Sequence, residues 1–287
     1  MLERLSRFMR RKYYQLDVEQ QLIRLTCVSA SGDTFPQAVE HALPGPLEVE
    51  PDELQAATST LFASLGGGLR VQVRLNDDIV RYFMVVPPVN GIRMQDLEAS
   101  AAMRFQMLYG ELVSSWRLIA DWQVNRPFLA CAVPRSLLGA LNAAATAQRT
   151  SLISVMPIFV DAWNHFCKNL SPDAWPATLN DRTLTLGVVA GSVRPGLSAV
   201  RTLKRRGDSW SAASLRQEIV RAALIDDVPP PAVVHIQSRS SEAFEAELTP
   251  TQGVIDLRVH RVDVGAQQSR SDGASTHTEF AQNGAMT

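Results

Sequence analysis

Apolar and polar positions alternate along YYQLDV at residues 13–18 and LIRLTC at 22–27, with the polar run Glu19-Gln20-Gln21 between them. A period of two broken by a short polar turn predicts a β-hairpin. Residues 29–51 contain four prolines and read as a turn-rich connection. PDELQAATSTLFASL then switches to a helical period, with Pro51 near its start and Leu54, Leu61 and Leu65 on one side. Gly66-Gly67-Gly68 closes it. No Lys-Ser/Thr follows these glycines, so they form a C-cap and loop and not a phosphate-binding P-loop.

LRVQVRLN and IVRYFMVVP follow as strands on either side of a bend at Asn76-Asp77-Asp78. A helix is predicted over about 95–109, where Leu97, Ala101, Phe105 and Leu108 share a face. SWRLIADWQV and RPFLACAV read as paired strands, and SLLGALNAAATAQ as a helix that Ser136 can cap. TSLISVMP is a strand, and Pro157 opens the helix PIFVDAWNHFCKNL. The proline- and polar-rich run 171–180 marks a lobe boundary. Beyond it RTLTLGVVAG and GLSAVRTLKR form a second hairpin, SAASLRQEIVRAAL a helix, PAVVHIQ a strand and GVIDLRVHRVDV a closing strand. Hairpins leading into helix and strand, twice over, predict an α/β chain of two lobes. The boundaries are a basic amphipathic segment at 1–12, a first lobe at 13–170 with an inserted subdomain near 70–125, and a smaller lobe at 171–264. The remaining residues, 265–287, lack the apolar surface to offset their ordering entropy and read as a disordered tail.

Composition narrows the function classes. The 287 residues are 46% hydrophobic and 20% charged, with a net charge of -1. No global field therefore draws the chain to nucleic acid or to an anionic membrane. No apolar run approaches the ~20 residues of a membrane-spanning helix, and no secretory h-region opens the chain. Cys27, Cys131 and Cys167 lie far apart among apolar neighbours, which predicts reduced thiols and a cytoplasmic protein. In MLERLSRFMRRK, Leu2, Leu5, Phe8 and Met9 oppose five basic residues; such a helix packs on its own domain or rests on anionic lipid. The five histidines show no metal spacing, and no Gly-x-Ser-x-Gly nucleophile elbow occurs. Asp77-Asp78 and Asp226-Asp227 read as turn chemistry. Arg201, Lys204, Arg205 and Arg206 form a solvated hairpin tip or meet phosphate or an acidic partner. Trp116, Trp122, Trp163 and Trp175 are core candidates by their apolar settings.

Residues 81–118 carry a resemblance. Arg81, Tyr82 and Pro87 form an Arg-aromatic-x-x-x-x-Pro pattern at a strand end, and Arg104-Phe105 sits near a helix end. Tyr109-Gly110-Glu111 and a strand with Trp116 follow. In that order the residues resemble the cytoplasmic actin-like proteins of pilus and secretion assembly, the group of PilM and of the cytoplasmic part of GspL. The resemblance spans about residues 13–237 and is sharpest over 81–157. It implies a bilobal actin-like (ribonuclease H-like) ATPase fold. The lack of a membrane helix and of a following periplasmic domain is closer in layout to PilM.

An actin-like cleft holds phosphate with two hairpins whose backbone N–H groups approach closely, which favours glycine. On the family's first hairpin, Asp17 matches the aspartate, Glu19 falls on the glycine, and Gln20 and Gln21 fall on small hydroxyl residues. A carboxylate at Glu19 repels phosphate by on the order of a few kcal/mol at an effective dielectric of about 20. On the second hairpin Gly191 and Ser192 remain, but Val189 stands where an aspartate is expected. The third element should be a glycine-rich turn; Ser238, Arg239, Ser240 and Ser241 contain no glycine. The expectation is a degenerate site without ATP, magnesium or catalytic residues, in which Asp17 caps its own turn.

Arg81, Tyr82, Phe83, Arg104 and Tyr109 mix cationic and aromatic groups and are the partner-binding candidates. The resemblance implies a non-catalytic scaffold of a type IV pilus or type II secretion-like machine, cytoplasmic and peripheral to the inner membrane. It would dock on a PilN-like or GspM-like bitopic protein and relay contacts to the assembly ATPase. A nucleotide-binding actin-like ATPase with atypical phosphate loops is the alternative. A sugar-kinase relative would need a catalytic aspartate near the second hairpin, where none stands.

Overall fold

The computed structural model describes residues 13–28, 34–43, 51–89, 93–191, 196–205, 210–238 and 255–261. In chain order the elements are β1 (Tyr13–Val18), β2 (Leu22–Val28), β3 (Thr34–Ala42), α1 (Pro51–Ser64), β4 (Arg70–Leu75), β5 (Arg81–Val85) and α2 (Met94–Tyr109). Then come β6 (Trp116–Ala120), β7 (Phe128–Pro134), α3 (Arg135–Ala147), β8 (Ser151–Pro157), α4 (Ile158–Phe166), β9 (Ala174–Leu179) and β10 (Thr183–Ala190). The last are β11 (Gly196–Lys204), α5 (Ala212–Ile225), β12 (Val233–Ser238) and β13 (Asp256–Arg261). The 1–12 segment and the 265–287 tail lie outside the described residues. The chain forms two compact units. Among the described residues the first takes those up to Arg74 and Gly139–Met156; the second takes Leu75–Leu138 and those from Pro157 to Arg261.

The first unit is built on a five-stranded sheet in the order β3-β2-β1-β4-β8. Its opening hairpin pairs Tyr13 with Val28 and Val18 with Ile23, so the alternation read from sequence sets its register. Leu16, Val18, Ile23, Leu25, Val71 and Val73 are fully buried. On α1 the buried positions Leu54, Ala57, Thr58, Leu61 and Phe62 recur at helical spacing. Leu65, expected on that face, falls just past the helix end. Gly66, Gly67 and Gly68 all adopt positive φ, and a side chain on Gly67 would sit 2.9 Å from the Gln148 carbonyl oxygen. Glycine is required at this turn by conformation and by space.

Two expectations fail here. The proline-rich connection contains the strand β3, which pairs with β2 at a sheet edge, where Pro36 is tolerated. Helix α3 begins at Arg135, so Ser136 lies inside it and does not cap it.

The second unit holds two sheets. In the smaller, ordered β5-β7-β6, Phe83, Val85, Trp116, Phe128, Ala130 and Ala132 pack with Leu97, Ala101 and Phe105 of α2. Leu108, read as part of that inward face, is 46% exposed. The larger sheet runs β11-β10-β9-β12-β13. Its core gathers Trp175, Leu184, Leu186 and Val188 with Ala162 of α4 and Leu215 and Ile219 of α5. The strands flanking Asn76-Asp77-Asp78 do not form a hairpin: β4 joins the first unit's sheet, whereas β5 pairs with β7. The run expected as a lobe boundary contains β9, the middle strand of the larger sheet, antiparallel to β10 and parallel to β12. All six residues of β9 are buried, so no period-two pattern marks it. Among the described residues no helix is long and apolar enough to cross a membrane.

Gly187 on β10 is a packing constraint. An added Cβ would meet Leu197 Cδ2 at 2.8 Å, Phe159 Cζ at 2.8 Å and Pro176 Cγ at 2.9 Å. Replacing Gly187 by Ala overpacks this site and should cost about 1–3 kcal/mol; urea unfolding of the two proteins measures it.

Candidate functional site

The first hairpin turns where Glu19 N–H donates to the Leu22 carbonyl at 2.9 Å. Glu19 and Gln20 are half-buried and Gln21 is exposed; the Gln21 carbonyl accepts from Leu43 N–H at 2.8 Å. Asp17 lies within β1, 2% exposed, opposite Arg24 in the ladder. Both of its carboxylate oxygens accept from Gln15 Nε2, at 3.0 and 3.1 Å, and Arg74 Nε stands 4.0 Å from Oδ1. A buried carboxylate needs such partners.

The second hairpin, β10–β11, has an irregularity between Val188 and Val189. Val189 is 4% exposed and belongs to the apolar core of the larger sheet. Gly191 follows with φ 106, a conformation open mainly to glycine. Ser192 and the run after Ser238 lie outside the described residues; Ser238 itself is buried at the end of β12.

The partner candidates divide by burial. Tyr82 and Phe83 are 5% and 2% exposed and serve the core, not a surface. As successive strand residues they point to opposite faces. Phe83 meets Phe105 and Tyr109 at centroid distances of 5.9 and 6.3 Å, and Tyr82 packs edge-on to Phe159 at 5.5 Å. Arg81 lies 5.2 Å over the Trp116 ring and 3.6 Å from Glu111 Oε1. Tyr109 O–H donates to the Tyr82 carbonyl at 2.8 Å. Arg104 is exposed on α2.

Asp77, read as a turn residue, is the buried polar centre of the second unit. It accepts from Tyr82 O–H at 2.5 Å, from Phe159 N–H at 3.0 Å and from the Thr178 hydroxyl. Burial pushes its carboxyl above the ordinary range, against the pull of those donors. Tyr82 is held well above its usual value, first by burial and then by the Asp77 charge. Cys131, also buried, is pushed up to about 12 by burial and then by Asp77, so this thiol is unreactive. Beside it, Asn180 Nδ2 donates to Asn76 Oδ1 at 2.5 Å. Sequence pattern offered one signal here: three consecutive polar residues between two apolar strands.

Two further charged groups are placed by the structure. Arg201, expected in a basic tip, forms a two-pronged pair with Asp226 at the end of α5, both contacts at 2.6 Å. His235 Nδ1 and His260 Nε2 are 2.8 Å apart on adjacent strands, with Phe166 against both rings. Among the described residues no group of three or more His, Cys, Asp or Glu is arranged to hold a metal ion.

No protein-family model matches the chain, and no curated protein matches it by sequence. Solved structures do. A chain of the PilM–PilN type IV pilus biogenesis complex superposes with a TM-score of 0.55 at 13% identity, covering 88% of each chain. The cytoplasmic domain of EpsL, an inner-membrane component of the type II secretion system of Vibrio cholerae, gives 0.52 at 11% identity over 80% of this chain and 84% of that one. A Bacteroides thetaiotaomicron protein described as having an actin-like ATPase fold gives 0.52 at 8% identity over 88% and 92%. The fold is actin-like. Its architecture agrees with the expectation from residues 81–118; identities this low carry the fold and nothing finer.

Two outcomes follow. Replacing Asp77 by Ala orphans three buried donors and should cost about 3 kcal/mol or more, at roughly 1–3 kcal/mol per donor, read as a lowered urea midpoint. Burial lowers both His235 and His260 from 6.5; His260 and Arg258 add to this at His235, and His165 and Arg258 at His260. The unfolded chain then protonates first, so their contribution is complete above 6.5 and is lost as pH falls through the folded-state values. Stability measured from about pH 7.5 down to about 5.5 should fall more steeply in the parent than in a His235→Gln variant.

Proposed function

We propose that the protein is a non-catalytic actin-like scaffold of a type IV pilus or type II secretion-like machine. One observation carries the loss of catalysis: the first hairpin has Glu19-Gln20-Gln21 in its turn, beside an Asp17 carboxylate engaged by Gln15 and faced by Arg74. A turn of this composition presents carboxylate and long amides where phosphate needs bare N–H groups. Val189, committed to the apolar core, supplies no metal-directing carboxylate at the second hairpin. Likeness in fold to PilM in its complex with PilN and to the EpsL cytoplasmic domain supports the assignment to such a machine.

In this reading the scaffold acts by binding. It docks on the cytoplasmic segment of a PilN-like or GspM-like bitopic inner-membrane protein and passes contacts to the assembly ATPase. Arg104, exposed on α2, and the half-buried Arg81 and Tyr109 are the remaining partner candidates.

Thermal unfolding with ATP and magnesium tests the reading. A nucleotide at 100 times its dissociation constant would add about 2.7 kcal/mol; the scaffold reading expects no rise in melting temperature. A clear rise would instead favour the ATPase with atypical loops, for which the retained left-handed Gly191 speaks.

A further inference from the structure

An edge strand offers a row of backbone N–H and C=O groups to any extended chain, and folded proteins blunt such edges with charge, proline or bulges. Six strands close the three described sheets: β3, β8, β5, β6, β11 and β13. Five of them carry charged residues: Glu40 in β3, Arg81 in β5, Arg117 in β6, Arg201 in β11 and Arg258 in β13. Strand β8, SLISVMP, has no charge in its seven residues, and its one proline is the last of them. None of the first six is buried, and Ile153 is 39% exposed.

We propose that β8 is a strand-addition site, where an extended, uncharged segment of a partner protein pairs with this edge, open among the described residues, as a sixth strand of the first unit's sheet. The chemistry of the edge defines the occupant. Backbone groups in a row select an extended backbone, and neighbouring side chains meet in cross-strand pairs. Leu152, Ile153, Val155 and the two serines give a lysine or glutamate opposite them no counter-charge, so the segment is apolar and hydroxyl-bearing over about six residues. Two copies pairing antiparallel would place Pro157, which has no N–H to donate, at both ends of the ladder; a partner segment carries no such defect. This names a docking mode for the scaffold reading and rests on that reading only for the machine to which the partner belongs.

Hydrogen exchange on the full chain tests it, with a lysine-flanked Thr-Val-Ser-Ile-Thr-Val peptide as probe and the same peptide N-methylated at alternate residues as control. The unmodified peptide should slow exchange of the amides in residues 151–156 by about tenfold, a difference of about 1.4 kcal/mol, and the methylated one should not. Ile153→Lys should abolish the protection while leaving the melting temperature unchanged. Equal protection by both peptides, or by neither, overturns the proposal. Protection that rises with protein concentration in the absence of peptide assigns the edge to a second copy and also overturns it. ATP-induced stabilisation would remove the scaffold reading and leave the strand site standing; failed pairing without ATP binding would do the reverse.

Discussion

The second unit depends on one buried carboxylate. Asp77 follows directly on the crossing from the first unit, and its oxygens take donors from β5, from the start of α4 and from β9. Each of the two sheets of that unit has its own apolar core, and apolar packing is non-directional. Hydrogen bonds to a fixed acceptor are directional, so Asp77 sets where Tyr82, Phe159 and Thr178 come to rest. Gly187 tightens the same neighbourhood by letting Phe159, Leu197 and Pro176 close on the backbone.

The charged groups that the sequence offered as open chemistry are paired within their own units. Asp17 is occupied by Gln15, Arg201 by Asp226, and Arg81 by Trp116 and Glu111. These groups hold their own units together. Internally paired charges of this kind add directional contacts to the units that carry them.

The sequence made the hairpins legible because polar and apolar residues alternate along them: β1, β2, β10 and β11 appear close to where the period of two places them. The helices were legible for the same kind of reason, with Leu97, Ala101 and Phe105 spaced as one face. β9 was not, because a strand buried on both faces and interrupted by Pro176 looks like a linker. Nor was the role of Asp77. Its partners lie 5, 82 and 101 residues away, and no local pattern carries that information. Tyr82 and Phe83 were misplaced for a related reason: Arg-aromatic composition suits both an interface and a core, and burial is a property of the whole fold.

The order β3-β2-β1-β4-β8 has a consequence for how the chain is made. A ribosome must release more than 150 residues before the last strand of the first unit's sheet emerges, and residues 75–138 of the other unit appear in between. Until then β4 waits with an unpaired side while foreign sequence leaves the exit tunnel. Long-range closure of this kind slows folding and prolongs exposure to wrong strands. The nascent protein therefore stays exposed until SLISVMP arrives, and the strand that ends that interval brings the one edge among the described sheets that carries no charge.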